Sequence, residues 1–149
     1  MADRDAGVAT IVVAHDGSAG AAHALAWATA LARQISGARL VVVHAWSPLD
    51  ELGKHKPGVD MATLHAEALA TLRDQWCRPV ADAGITFEAR LVEDLPIDAL
   101  CRTARDVDAD LIICGTRGRG GVKGLLLGSV ARELPGRSQL PVTVVPPPA

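Results

Sequence analysis

The chain has 149 residues, of which 49% are hydrophobic and 21% charged, a composition typical of one compact domain with a substantial core. Its formal net charge of −2 argues against nucleic acid as the main partner. No apolar run approaches membrane-spanning length, and the three cysteines form no C-x-x-C pair, which suits a reducing compartment. We therefore expect a cytoplasmic protein that contacts no membrane, with a single domain over 1–149 and a disordered lead at 1–8.

The start of the chain predicts a β-α-β unit. Residues 10–15 form the first buried strand, and residues 11–14 within it are apolar on both faces, as a central parallel strand requires. Ser18 is placed to cap the next helix, whose apolar residues repeat at helical spacing until Gly37 ends it. Residues 40–43 form a second buried strand, and a right-handed crossover makes it parallel to the first.

The middle of the chain predicts a loop, a helix and an edge strand. Residues 46–59 are polar and contain two prolines and two glycines, which indicates a loop long enough to act as a lid. A helix begins near Asp60 with Met61 on its apolar side, and Pro79 is expected to kink or shorten it. Residues 85–92 alternate between apolar and charged side chains, a pattern that indicates an edge strand.

The last third of the chain predicts two further strands, each preceded by a helix. Pro96 suits the first turn of one helix, and the fully apolar residues 111–114 form the strand after it. A short helix at 129–134 is expected to end near Pro135. The apolar residues 142–145 form the last strand, and such a strand at a sheet edge invites pairing with another chain.

The alternation of strands and helices predicts an α/β fold, a doubly wound sheet of five parallel strands with helices on both faces. The third strand is amphipathic and therefore peripheral, whereas the first and fourth are the most apolar and therefore central. The order that satisfies both conditions is 3-2-1-4-5. Its switch point lies between strands one and four, and ligands bind there, outside the carboxyl ends of the strands. Asp16 follows the first strand and Gly115 the fourth, so we expect both at this crevice.

A glycine-rich, cationic segment follows the fourth strand. Five of the ten residues in 115–124 are glycine, which allows the backbone to approach a ligand closely. Gly128 and Ser129 then begin a helix, where free amides and the helix dipole favour an anion. The segment predicts a phosphate cradle; the alternative is a flexible surface loop with solvated arginines. Its cations are Arg117, Arg119 and Lys123.

Two known phosphate motifs are absent from this segment. The P-loop needs Gly-Lys followed by Ser or Thr, but Lys123 stands between Val122 and Gly124. The dinucleotide fingerprint fails because the nearest fit, Gly118-x-Gly120-x-x-x-Gly124, is one residue too long.

The segment does match another pattern. The spacing Gly115-x2-Gly118-x9-Gly128-Ser129 resembles the nucleotide-binding signature of the universal stress protein family. The resemblance extends to residues 13–18 and 141–146, and so covers nearly the whole chain. It implies an adenine nucleotide alpha hydrolase-like fold with ATP as the ligand. It also implies that the protein acts as a regulator rather than as an efficient enzyme, and that it forms a homodimer through 142–145.

The resemblance also implies which residues form the site. In nucleotide-binding members of the family, the positions that match the glycine signature contact the phosphates and ribose. The positions that match Ala14, Ala45 and Cys114 line the pocket for adenine and sugar. The candidate site residues are therefore Ala14, His15, Asp16, Ala45, Cys114, Gly115, Arg117, Gly118, Gly128, Ser129 and Val130.

Two of these positions allow alternatives. Asp16 could hold a ribose hydroxyl or a Mg²⁺ ion shared with ATP phosphates, or it could merely shape the Asp-Gly-Ser turn; the resemblance favours the site. The amides of Gly115, Gly118 and Gly128 are expected to meet phosphate oxygens. Ser129 could add its hydroxyl, serve as the helix N-cap, or do both.

Two histidines and a tryptophan follow the central strands. His15 and His44 are expected to lie close in space, but no third ligand has helpful spacing for a metal. Packing or hydrogen bonding is the expected role of the pair. Trp46 could cover a base or simply pack at the strand end.

Two other functions remain open from the sequence. A slow ATPase or phosphotransferase needs an oriented nucleophile and usually a metal, and Asp16 is the one positioned base that the sequence shows. A nucleotide-free interaction module is the other alternative, and the intact glycine signature argues against it.

Overall fold

A computed structural model describes residues 7–52, 57–118 and 126–148. The strands are β1 (Thr10–Ala14), β2 (Arg39–Ala45), β3 (Thr86–Val92), β4 (Leu111–Gly115) and β5 (Val142–Val145). The helices are α1 (Ala19–Arg33), α2 (Pro48–Leu52), α3 (Met61–Ala70), α4 (Arg78–Asp82), α5 (Pro96–Asp106) and α6 (Ser129–Arg137), with a π-helical segment (Thr71–Trp76) between α3 and α4.

The strands of the described ranges form one five-stranded parallel sheet in the order β3-β2-β1-β4-β5. This confirms the predicted fold and strand order. Val12 of β1 pairs with Val41 of β2 on one side and Ile112 of β4 on the other. All three are fully buried, as expected where helices cover both faces of a sheet.

Each face of the sheet carries its own hydrophobic cluster in the described part of the chain. Successive side chains of a strand point to opposite faces, so Ile11 joins one cluster and Val12 the other. The first cluster lies under α1, the π-helical segment and α4, and the second lies under α5 and α6. Val8 packs against the first cluster, so the predicted disorder is wrong there; residues 1–6 lie outside the described ranges.

Local sequence signals explain how α1 begins and ends. The hydroxyl of Ser18 accepts the N–H of Ala21 at 3.1 Å, which confirms the predicted N-cap. The helix ends at Arg33, and Gly37 takes a φ of 75° in the turn that leads to β2. A side chain at this position would be strained, because φ lies in the left-handed region.

Two predicted boundaries are wrong. The loop expected at 46–59 contains the short helix α2, and residues 53–56 lie outside the described ranges. Helix α6 continues through Pro135 to Arg137 instead of ending near the proline. Proline removes one helical hydrogen bond, but Leu134 beside it is fully buried in the second cluster, and this packing holds the turn in place.

The helix that starts after Asp60 changes register before Pro79. The N–H of Cys77 donates to the carbonyl of Leu72 at 3.0 Å, an i to i−5 bond that defines the π-helical turn. Pro79 then lies in the first turn of α4, where its missing N–H costs little. Met61 is 40% exposed, so its predicted place on the apolar side is wrong.

Candidate functional site

The turn after β1 is fixed by its own side chains. Gly17, with a φ of 82°, donates its N–H to Nδ1 of His15 at 3.0 Å. The N–H of Ser18 donates to Oδ1 of Asp16 at 3.0 Å. Asp16 therefore shapes this turn, one of the two roles expected for it, and it also faces the loop after β4.

His15 and His44 lie together, as expected, and both pack against Trp76. The His15 ring stacks on the indole with centroids 4.7 Å apart, and the His44 ring meets it edge-on at 5.0 Å. Nδ1 of His44 also lies 2.9 Å from the His15 carbonyl oxygen. Within the described residues no group of three or more His, Cys, Asp or Glu side chains could hold a metal ion. These contacts agree with the packing and hydrogen-bonding role.

The loop after β4 makes close backbone contacts with α1. A Cβ at Gly115 would come within 3.1 Å of the carbonyl oxygen of Gly20, and a Cβ at Gly20 within 3.1 Å of the carbonyl oxygen of Arg117. A Cβ at Gly118 would collide with Oδ2 of Asp16. Glycine at these positions thus brings the loop of β4 directly against the turn of β1.

The start of α6 differs in detail from the prediction. Gly128 is the N-cap and Ser129 the first helical residue, so the proposed N-cap role of Ser129 is wrong. The N–H of Gly128 donates to the Thr116 carbonyl at 2.6 Å, so in this structure it is not available to a phosphate. The N-cap Gly128 has no side chain that could cap the helix. The amides of Ser129 and Val130 lie in the first turn, where no helical carbonyl reaches them.

These elements surround a cavity of about 540 Å³ at the carboxyl ends of β1 and β4. Its size falls in the range of small-molecule sites. The structure places every candidate residue on its wall, although their binding roles remain predictions. They are Ala14, His15, Asp16, Ala45, Cys114, Gly115, Arg117, Gly118, Gly128, Ser129 and Val130.

Several residues of the cavity wall were not predicted from the sequence. Arg132 follows Ser129 by three positions, and that helical spacing could have identified it. Asp50 and Glu51 belong to α2, a helix that was not predicted from the sequence.

Trp46 was expected either to cover a base or to pack at the strand end. It is only 4% exposed and meets His65 edge-on at 5.4 Å, and it also lines the cavity. The loop cations Arg119 and Lys123 fall outside the described ranges.

The cysteine on the cavity wall is not an activated nucleophile. Cys114 is 2% exposed, and burial raises its pKa to about 11. Burial raises the pKa of Cys77 to about 12. Both thiols are therefore protonated near neutral pH, whereas a reactive cysteine needs a lowered pKa.

A doubly wound parallel sheet with a cavity of small-molecule size at its switch point defines the structural class of this protein. The chain belongs to the universal stress protein family, whose model matches residues 7–146. A universal stress protein of Thermus aquaticus is 38% identical over 142 residues, which cover 91% of this chain and 97% of the relative. A longer universal stress protein of Mycobacterium tuberculosis is 33% identical, and the chain spans 44% of its length.

Solved structures of the family share the fold. A universal stress protein in complex with cAMP is 30% identical, with a TM-score of 0.69 over 95% of this chain and 98% of its own. A universal stress protein of Archaeoglobus fulgidus in complex with dAMP is 26% identical, with a TM-score of 0.65 over 93% of this chain and 98% of its own. In the described ranges of the present chain, no helix is both long and apolar enough to span a membrane.

Proposed function

We propose that this protein binds an adenine nucleotide, with ATP as the preferred ligand, in the cavity between β1 and β4. The observation that carries the proposal is the convergence of the glycine signature and the Asp16 turn on one cavity. The complexes of related proteins with cAMP and dAMP support an adenine nucleotide as the ligand class.

The phosphates bind at the start of α6. The amides of Ser129 and Val130 lie in the first turn of α6, where they have no helical acceptor, and the N-cap Gly128 offers no side chain, so they can donate to phosphate oxygens. Gly118 adds a backbone position that allows close approach, and the exposed Arg117 adds a positive charge. Gly128 contributes by closing the loop onto Thr116 rather than by offering its amide.

The adenine and ribose bind at the opposite, less polar end of the cavity. Ala14 and Ala45 end β1 and β2, and Cys114 is the last residue but one of the adjacent β4. Their small side chains leave room for a flat ring. Leu100 of α5 lines the same wall and is 2% exposed. The neutral thiol of Cys114 behaves there as a small apolar group.

Asp16 is the proposed ligand of a Mg²⁺ ion that accompanies ATP. Its Oδ1 accepts the Ser18 N–H, which holds the carboxylate beside Gly118. A carboxylate next to bound phosphates matches the way in which proteins hold Mg²⁺, through one or two carboxylates together with phosphate oxygens.

Nucleotide binding is proposed to act as a signal rather than to drive efficient catalysis. The phosphates hold the two described ends of the segment, residues 115–118 and 126–129, in one arrangement, and a partner or a second subunit recognises the resulting surface. We propose that the second subunit joins through β5, which lies at the edge of the sheet.

Equilibrium dialysis against labelled ATP tests the proposed binding. We expect saturable binding with one nucleotide per chain, and competition by other adenine nucleotides. A Ser129→Pro variant removes one phosphate donor at a position where proline is compatible with the helix, and should bind ATP more weakly. Absence of binding at millimolar ATP would exclude the proposed function.

A further inference from the structure

We infer that Arg132 contacts the outer phosphates of the ligand, so that the cavity selects a nucleoside di- or triphosphate over a monophosphate. This inference rests on the nucleotide binding proposed above, and it adds a specificity-determining residue to that site. The related complexes hold cAMP and dAMP, ligands with a single phosphate each, and so leave the contacts of the outer phosphates open.

The position of Arg132 in α6 directs it to the phosphate end. Arg132 follows Ser129 by three residues, both lie on the cavity wall, and residues three apart share a helix face. Its own N–H donates to the Gly128 carbonyl at 3.1 Å, so Arg132 completes the first turn of the helix. The side chain is exposed to solvent and can therefore move toward a ligand.

Helix geometry sets the direction of the Arg132 side chain. Side chains on an α-helix tilt toward its N-terminus, so the guanidinium of Arg132 extends back over the preceding turn. That turn holds the amides of Ser129 and Val130. A chain of phosphates that starts at these amides can thus continue along the guanidinium.

The ion-pairing state of Arg132 leaves it available to a ligand. Arg137, on the same helix, pairs with Asp98 at 2.9 Å, and Arg102 of α5 pairs with Asp94 at 3.2 Å. Within the described ranges Arg132 has no such carboxylate partner. An unpaired guanidinium can bind phosphate through two parallel hydrogen bonds.

The charges on the wall explain why an additional cation matters. Among the described residues, the carboxylates of Asp16, Asp50 and Glu51 line the cavity together with Arg117 and Arg132. Each phosphate beyond the first brings further negative charge into a cavity whose described wall already carries carboxylates. An arginine at the outer phosphates offsets that repulsion, and its loss should penalise ATP far more than AMP.

Calorimetric titration of the full chain with MgATP, ADP and AMP tests this inference. A charge-assisted hydrogen bond contributes enough that Arg132→Gln should weaken ATP binding about tenfold or more. The same variant should leave AMP binding unchanged, and Arg132→Lys should lose only part of the ATP affinity because it keeps the charge. Arg105→Gln is the matched control, since Arg105 is an exposed helical arginine away from the cavity wall.

The outcomes separate this inference from the proposed function. A wild-type protein that binds ATP more tightly than AMP, with the preference lost in Arg132→Gln alone, supports it. Wild-type binding of ATP that Arg132→Gln leaves unchanged, or weakens no more than it weakens AMP, overturns the inference while the nucleotide site stands. Failure of the wild-type protein to bind any of the three nucleotides overturns both.

Discussion

At Gly115 the backbone of β4 passes close to the first turn of α1. A Cβ there would lie 3.1 Å from the carbonyl oxygen of Gly20 and 3.3 Å from its carbonyl carbon. These are backbone atoms of a helix, which cannot rotate away as a long side chain would. A larger residue at this position must therefore displace α1 or β4, and both elements form the cavity wall.

We predict that Gly115→Ala lowers the free energy of unfolding by about 1–3 kcal/mol, the usual cost of overpacking. Urea unfolding followed by circular dichroism measures the change. Gly136→Ala is the control, because a Cβ at Gly136 in α6 meets no atom within 4 Å. Removing a helical glycine should stabilise the protein by up to about 1 kcal/mol. Equal effects of the two substitutions would contradict the close approach at Gly115.

At the scale of elements, side-chain caps fix where helices begin. Ser18 caps α1 through its bond to the Ala21 N–H, and Asp60 caps α3 by accepting the Thr63 N–H at 2.7 Å. The start of α6 differs, since Gly128 provides no side chain there. Like α4 and α5, α6 has no side-chain cap, and it begins at the cavity, where a bound anion would take the place of one.

Removal of the α1 cap should destabilise the whole domain. We predict that Ser18→Ala costs about 1 kcal/mol in the free energy of unfolding, because the Ala21 N–H loses its acceptor. Ser36→Ala, in the exposed turn after α1, should change the stability very little. Thermal or urea unfolding of the pair measures the difference, and a Ser18 variant as stable as the Ser36 variant would refute the capping role.

The cap of α3 should make stability depend on pH. The hydrogen bond from the Thr63 N–H holds the pKa of Asp60 below its ordinary value of 3.8. Because the folded pKa is the lower one, the stabilisation is present above the unfolded pKa and is lost as the pH falls through the folded pKa. Asp60→Asn keeps a capping oxygen but does not titrate.

The two proteins should therefore differ in their acid response. We predict that the stability of the wild type relative to Asp60→Asn is greater at about pH 7 than at about pH 3. Urea midpoints at the two pH values measure it. A difference between the two proteins that stays constant with pH would show that Asp60 does not contribute in this way.

At the scale of the whole molecule, the fold could be predicted because strands that are buried on both faces are continuously apolar in the sequence. Residues 11–13 and 111–114 are apolar without alternation, which placed β1 and β4 at the centre and so located the switch point. The candidate site residues could be named from the sequence because they lie at strand ends or in a glycine pattern of fixed spacing. Both are local features of the chain.

The structural features that could not be predicted from the sequence depend on tertiary contacts. The π-helical turn brings Trp76 against His15, and no local periodicity signals such a change of register. Helix α6 persists through Pro135 because Leu134 is buried beside it. The N–H of Gly128 donates to the Thr116 carbonyl, and the local sequence does not indicate this contact between residues that are distant along the chain.

The edge position of β5 predicts the oligomeric state. One side of β5 pairs with β4, and in the described ranges its other side has no neighbouring strand. We expect pairing of two chains through this strand. Sedimentation equilibrium at micromolar concentration should give the mass of a dimer, and a monomeric mass would contradict the expectation.

The central claim is that amides at the start of α6 and in the loop after β4 bind the phosphates of a nucleotide beside Asp16. Titration of isotopically labelled protein with MgATP, followed by amide NMR, tests it most directly. The signals of Gly118, Ser129 and Val130 should move together as the site fills, while those of Gly37 and Gly84, in turns away from the cavity wall, stay in place. Stationary signals from Gly118, Ser129 and Val130 at millimolar MgATP would contradict the account.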